Sequence, residues 1–364
     1  MIMSTHLNEN QNEVFKTLSI SDHTLITTLD ATSMSQTRTR VDNLVKPQGS
    51  LGALEEIAVQ LSGIYATTKP KIKKKAVIVM CSDNGVCEEG IASAPPIVTL
   101  IQSLNIAKGV SGVGALAKAF NAKVYTVNIG IDSDEIHPTL IHKKIMNGTH
   151  NIAKGHAMTR EQALAAIETG MEMVTLAVSE GNNLIATGEM GIGNTTTSTA
   201  ILSILSGHDP KALTGVGANF PVEKLDHKSG IIEQSIVSKT IDANDPIDIL
   251  SAVGGLDIAG LTGVMLGGAI HRVPVIVDGY ISTVAALLAC KLNPDVKAYL
   301  FPSHASEEKS AALATELLGM KPFLNLNMRL GEGSGAVLAF GIIEAACTML
   351  NDMITFEEAG IGVV

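Results

Sequence analysis

Apolar residues along this chain follow two alternating rhythms. Short runs of strand length fall at residues 76–80, 123–129, 183–187, 274–277 and 297–301. Between them lie longer segments with apolar positions at helical spacing, at 98–120, 159–178, 195–205, 282–291 and 306–318. The third of these strands is preceded by a helix with a clear start signal, because Thr159-Arg160-Glu161-Gln162 reads as a capping box. Strands separated by helices predict an α/β fold, a mostly parallel Rossmann-like sheet with right-handed crossovers and helices on both faces.

The flanks read differently. Residues 1–40 are polar and rich in Thr and Ser, with short apolar patches at Val14-Phe15 and Leu25-Ile26, and predict helices that need partners elsewhere. Leu44 to Leu54 contains Lys46-Pro47 and Gly49-Ser50, which break structure, and Ser50 is placed to cap an amphipathic helix through Leu54, Ile57 and Leu61. Near the other end, the apolar run from Val337 to Leu350 has the length of a buried helix.

Open parallel sheets bind ligands beyond the carboxyl ends of their strands. The predicted strand ends deliver Asp83 and Asn84, Gly188 and Glu189, Asp278 and Gly279, and Ser303 and His304, which points to one shared cleft. The stretch Gly188-Glu189-Met190-Gly191-Ile192-Gly193-Asn194-Thr195-Thr196-Thr197 lies between a strand and a helix. Its glycines free backbone N–H groups at the positive end of a helix, with hydroxyls beside them, which suits phosphate. It lacks the Lys of a triphosphate-binding loop and the spacing of a dinucleotide fingerprint, so a mononucleotide fits better; a tight strand-helix turn is the plain alternative. Gly215-Val216-Gly217-Ala218-Asn219, with Lys228 nearby, reads as a turn or a second anion loop. Gly109, Gly112 and Gly114 read as close helix packing, and His271 as the end of an apolar helix.

The other unusual stretch is Leu330-Gly331-Glu332-Gly333-Ser334-Gly335-Ala336, in which three glycines crowd one carboxylate ahead of the last apolar run. Glu332 either caps that helix or acts as a general base, a role that gains from partial desolvation.

Composition narrows the classes. At 364 residues the chain can bury a large core, and its 34 glycines and 3% aromatic content suit helices packed closely on a sheet rather than a base-stacking surface. A net charge of −10 opposes binding to nucleic acid. Five lysines between Lys69 and Lys75 form a solvated connector before the first strand. Cys81, Cys87, Cys290 and Cys347 fit no metal-ligand spacing and are expected as reduced thiols, so no metal or cofactor is predicted and the expected location is cytoplasmic. No secretory signal pattern opens the chain, and the apolar stretch 256–277 is interrupted by Asp257, His271, Arg272 and Pro274, which argues against a membrane span.

Five ordered motifs together carry a resemblance. Lys46-Pro47-Gln48-Gly49-Ser50-Leu51-Gly52, Asp83-Asn84-Gly85-Val86 with Glu89-Gly90, the Gly188 to Thr197 loop, Asp278-Gly279-Tyr280-Ile281-Ser282 and Met328 to Gly335 resemble the nicotinate-nucleotide:5,6-dimethylbenzimidazole phosphoribosyltransferase family, over residues 40–360. The resemblance implies transfer of the 5-phosphoribosyl group of nicotinate mononucleotide to an aromatic lower-ligand base, for cobamide assembly. It implies a large domain at 76–325 and a small helical domain built from 1–75 and 326–364. It also implies a dimer, of identical chains or with a paralogue. By motif, Glu332 matches the catalytic base and Lys228 a lysine near the phosphoribosyl group. Glu189, Gly191, Gly193, Asn194, Thr195, Thr196, Gly217 and Asn219 fall on the nucleotide side. Asp83, Asn84, Ala94, Pro95, Gln102, Met190, Ser303 and Leu330 fall around the acceptor.

Two positions depart from that family's pattern. Asn84 stands where His is common, and an amide takes up no proton near neutral pH. Ala94 stands where benzimidazole-using relatives often carry a hydroxyl, so purines or phenols become candidate acceptors beside dimethylbenzimidazole. A silent partner of an active paralogue and a nicotinamide-dependent oxidoreductase are the competing readings; retained Glu332, Glu189 and Lys228 oppose the first and the missing fingerprint opposes the second.

Overall fold

The structure, a computed structural model, describes residues 18–361; the Val14-Phe15 patch lies outside them. The chain opens with α1 (Ala31–Asp42) and α2 (Ala53–Tyr65), then enters β1 (Lys75–Ser82). Next come α3 (Ile97–Ala107), α4 (Gly112–Ala119), β2 (Ala122–Gly130), β3 (Ile141–His142), α5 (Arg160–Ser179) and β4 (Leu184–Met190). A helical stretch follows, α6 (Asn194–Ser206), α7 (Pro210–Leu213), α8 (Leu225–Val237), α9 (Pro246–Val253) and α10 (Leu256–Ile270). The chain then runs through β5 (Val275–Val277), α11 (Tyr280–Leu292), β6 (Leu300–Pro302), α12 (Ala311–Leu318) and α13 (Ser334–Asp352).

The six strands form one sheet in the order β3-β2-β1-β4-β5-β6, with every neighbouring pair parallel. Strand order reverses between β1 and β4, so their carboxyl ends diverge from one crevice, the place where such sheets bind ligands. β1 reads as a continuous apolar run because both its faces are covered, and everything after Lys75 in it is buried.

Three predicted boundaries differ from the structure, each for a local reason. The helix expected at 98–120 is two helices, because Gly109 adopts φ +70° and the Ser111 side chain accepts from Gly114 N and restarts the chain as α4. Gly109 and Gly114 then lie so close that a Cβ on Gly114 would collide with the Gly109 backbone, which agrees with their reading as packing glycines. The strand expected at 297–301 begins only at Leu300, since Asn293 caps a short 3-10 turn over Pro294–Tyr299. The helix expected at 306–318 starts at Ala311, which leaves Ser306 in the cleft wall. The two-residue β3 carried no sequence signal at all.

The apolar stretch before His271 is α10, a core helix buried on every side. It crosses α5 at close range, and glycines permit this: a methyl on Gly263 would run into the Ile167 carbonyl, and one on Gly170 into the Gly260 carbonyl. Among the described residues α13 is the one helix long and apolar enough to cross a membrane, and most of it is buried inside the protein. The α1 region and the segment after α13 meet beside it. Arg40 on α1 donates to the carbonyls of Leu350 (3.3 Å) and Met353 (3.0 Å), and Leu44 bridges to Thr355. The Lys46 motif supports this corner: Lys46 Nζ lies 2.8 Å from Glu55 Oε1 in a buried ion pair, and Leu51 N donates to the same oxygen.

Gly263→Ala is expected to destabilise the fold by about 1–3 kcal/mol through overpacking of the α5–α10 crossing, seen as a lowered thermal midpoint; an unchanged midpoint would show that the crossing relaxes freely.

Candidate active site

The site is built from the head of α13 outward. Gly331, Glu332 and Gly333 take φ values of +84°, +62° and +95°, so three successive residues occupy the left-handed region, one of them not glycine. Gly333 has no side chain with which to cap α13. The cap comes from across the sheet: the Asp278 carboxylate, just past β5, accepts from Gly333 N (3.3 Å) and Ala336 N (2.9 Å). Burial holds Asp278 above the ordinary carboxylate range, although the neighbouring His304 and these N–H groups pull it down. Gly188 must lack a side chain because a Cβ there would strike the Glu332 carbonyl.

With Asp278 as the cap, the Glu332 carboxylate is free to point elsewhere, which decides against the capping reading of that residue. It is 4% exposed. Its Oε2 accepts from Val113 N at 2.9 Å, a first-turn N–H of α4, and its Oε1 accepts from the Gln102 side chain on α3.

Glu189, at the end of β4, lies beside this loop. The Asn194 amide at the start of α6 donates both to Glu189 Oε2 and to Asp257 Oδ2, the latter at 3.0 Å. One NH2 group thus bridges two buried carboxylates. Burial, reinforced by the Asp257 charge, pushes Glu189 up to about 8, and burial pushes Asp257 up to about 6.

On the far side of α6, Lys228 from α8 is 2% exposed. Its Nζ donates to Thr195 Oγ1 (2.9 Å) and lies 5.7 Å from the centre of the Phe220 ring. Burial pushes its ammonium down to about 8. Lys228, Gly193 and Thr195 line a cavity of about 60 Å³ that shares Gly191, Asn194, Thr195 and Ala218 with a larger one of about 320 Å³. Arg329 closes the edge of the larger cavity by donating to Gly217 O (3.1 Å) and Asn219 Oδ1 (2.8 Å).

The larger cavity gathers Glu332, Glu189, Gly191, Asn194, Thr195, Gly217, Ala94, Gln102, Met190 and Leu330, all expected in the site from sequence. Gly193 and Lys228 sit in the smaller one. The remaining expected residues lie outside both. Thr196 is wholly buried behind the loop, and exposed Asn219 serves Arg329 from outside. Exposed Pro95 lines neither cavity, and Ser303 is buried beneath His304, donating to Asp278 O. Asp83 and Asn84 open instead onto a separate groove with His150 and His156. They brace the site from behind: Asp83 Oδ2 accepts from Asp132 N, and Asn84 Nδ2 donates to Ile192 O under the Gly191 turn.

Residues missed from the sequence include Asp257, Arg329 and Ser306. Asp257 had a signal, a lone carboxylate inside the most apolar stretch of the chain, which is costly unless partnered. Arg329 stood inside a quoted motif, but nothing local linked it to the Gly217 loop.

A parallel α/β sheet with a mononucleotide-sized cleft at its switch point, a helix N-terminus facing a buried lysine, and a clamped carboxylate together define an enzyme that handles a small phosphorylated ligand. The chain belongs to the phosphoribosyltransferase family, whose model matches residues 26–361. It is 52% identical over 338 residues to the nicotinate-nucleotide–dimethylbenzimidazole phosphoribosyltransferase of Alkaliphilus metalliredigens, covering 93% of this chain and 97% of that one. It is 44% identical to the protein of the same name from Yersinia enterocolitica, over 92% of this chain and 95% of that one. The crystal structure of the enzyme of that name from Thermus thermophilus superposes with a TM-score of 0.87 at 36% identity, covering 92% of this chain and 100% of that one.

The Glu189–Asp257 pair sets a pH dependence. Both carboxyls bind their protons more tightly folded than unfolded, so their stabilising contribution is complete below about 4.5 for Glu189 and is lost as pH rises through about 8. The thermal midpoint should therefore fall between pH 5 and pH 8.5, and Glu189→Gln should flatten that slope; an equal slope in the variant would place the proton elsewhere.

Proposed function

We propose that this protein transfers the 5-phosphoribosyl group of nicotinate mononucleotide to an aromatic lower-ligand base, releasing nicotinate and an α-riboside 5′-phosphate for cobamide assembly. The observation that carries this reading is the position of Glu332. Its carboxylate sits in the wall of the 320 Å³ cavity, between the apolar side chains of Val98, Met190 and Leu330 and the Glu189–Thr195 turn. The names of the relatives supply the substrate classes.

In this reading the phosphate lies at the α6 N-terminus and Lys228, where the positive end of the helix dipole and an ammonium favour an anion. The acceptor ring lies against Met190, Val98 and Leu330. Its nitrogen lone pair forms a bond to the anomeric carbon while the bond from that carbon to the nicotinate nitrogen breaks. The bonding pair returns to the pyridinium ring, which leaves neutral at nitrogen and so requires no general acid. The proton on the acceptor passes to Glu332. Attack opposite the leaving group inverts the β linkage to α. Holding both partners adjacent contributes much of the rate, and the positioned base a further two to four orders of magnitude or so.

Ala94 puts no hydroxyl at that position of the acceptor wall, which supports acceptance of purines or phenols beside benzimidazoles; with a phenol the product linkage is through oxygen. We further infer a dimer, supported by half-exposed Ile97 and Ile101 on α3 beside the cavity, and a reducing cytoplasmic setting, supported by four free cysteines. The contact of α1 and α2 with α13 supports a small helical domain formed by 1–75 and 326–364 beside the large one at 76–325.

The purified protein incubated with nicotinate mononucleotide and single bases should release nicotinate and form an α-riboside phosphate. Competition among dimethylbenzimidazole, adenine and a phenol reads the acceptor range, and strict preference for dimethylbenzimidazole would remove the broader one. Glu332→Gln should lower turnover by about 10²- to 10⁴-fold with nucleotide binding retained; surviving turnover would assign the proton to another group.

A further inference from the structure

The two oxygens of Glu332 are held by unequal partners. Oε2 is bound by the backbone N–H of Val113, which cannot leave without unwinding the first turn of α4. Oε1 is bound by the Gln102 side chain, which lines the cavity. Oε1 keeps a second lone pair, so an acceptor can deliver its proton there beside the Gln102 amide, without displacing it. Gln102 can donate to Glu332 only while its own carbonyl faces away. That orientation is set one turn along α3, where Asn105 Nδ2 donates to Gln102 Oε1 at 3.1 Å. The main chain of Asn105 is held at the end of α3, where its backbone carbonyl accepts from Val110 N (3.0 Å).

The geometry points to Asn105 as a positioning residue for the transfer reaction: by donating to the Gln102 carbonyl it keeps the Gln102 NH2 group on Glu332 Oε1, so that Oε1 is the oxygen that accepts the proton from the incoming base. This rests on the transferase reading above and assigns the proton to one atom. If Gln102 turned over, its carbonyl oxygen would face Glu332 Oε1, and two acceptors would oppose each other where the base must bind.

The test exploits the difference between shape and donor capacity. Asn105→Asp keeps the shape of the side chain but presents acceptors only, which draws the Gln102 NH2 group toward position 105 and turns its carbonyl onto Glu332. The expected result is a loss of about 10- to 100-fold in kcat/KM for the base, larger than that of Asn105→Ala, with the KM for nicotinate mononucleotide unmoved. Activity should recover as pH is lowered toward 5, where the introduced carboxyl regains a proton and hence a donor. In a Gln102→Met background the Asp and Ala variants should become equal. A packing role predicts the reverse order, because the isosteric Asp would then be the milder change, and that order overturns the proposal. If the Asp variant does not fold, Asn105→Leu keeps the volume without a donor and should lose about fivefold or more; a wild-type rate in it also overturns the proposal. Calorimetric affinity for dimethylbenzimidazole, read without turnover, should follow the same order of variants. An inactive wild type that still shows this order in base binding would refute the transferase reading and leave the positioning role standing.

Discussion

The buried carboxylate of Asp278 is the contact on which the site depends. It satisfies two N–H groups at the head of α13 from across the sheet, at a helix start that has no side chain of its own to do so. Each buried donor left without a partner would cost about 1–3 kcal/mol. Because this cap comes from another strand, residues 331–333 are held in a left-handed run that glycines permit and Glu332 is made to follow. The same anchored helix packs against α1 and α2, so one carboxylate links the Glu332 loop to the corner formed by α1, α2 and α13.

The cleft holds buried carboxylates and two cationic side chains. Glu189, Asp257, Asp278 and Glu332 are buried around the ends of β4 and β5, the start of α10 and the loop before α13, whereas Lys228 approaches from α8 and Arg329, from that same loop, reaches across to the 217–219 turn. Bridging of Glu189 and Asp257 by a single amide lets both stay buried, since each keeps one strong donor while the pair retains a proton through neutral pH.

Much of this is readable along the chain. The alternation of strand-length and helix-length apolar runs identifies a parallel sheet, because both its strands and its covering helices are driven by burial that repeats locally. The Gly188 and Gly331 stretches are conspicuous because glycines between apolar runs have few uses other than close approach. The differences fall where a local signal is weak or ambiguous. Gly109 reads as packing but also ends α3, and the polar residues after β1 read as cleft residues yet brace its rear wall. Asp83 and Glu189 look alike in sequence, and only the neighbouring strand determines which one lines the cavity.

Local sequence therefore determined most of the elements, the glycine turns and the carboxylates of the Gly188 and Gly331 stretches, since these follow from backbone freedom and the period of burial. Tertiary structure alone decided the pairing: that Asp278 caps a helix 55 residues away, that Asn194 bridges Glu189 to Asp257, that Arg329 fastens the Gly217 turn, and that Glu332 turns from its own helix to Gln102 and Val113. Such contacts join residues far apart in the chain, and a hydrogen bond depends on distance and direction that no stretch of sequence contains.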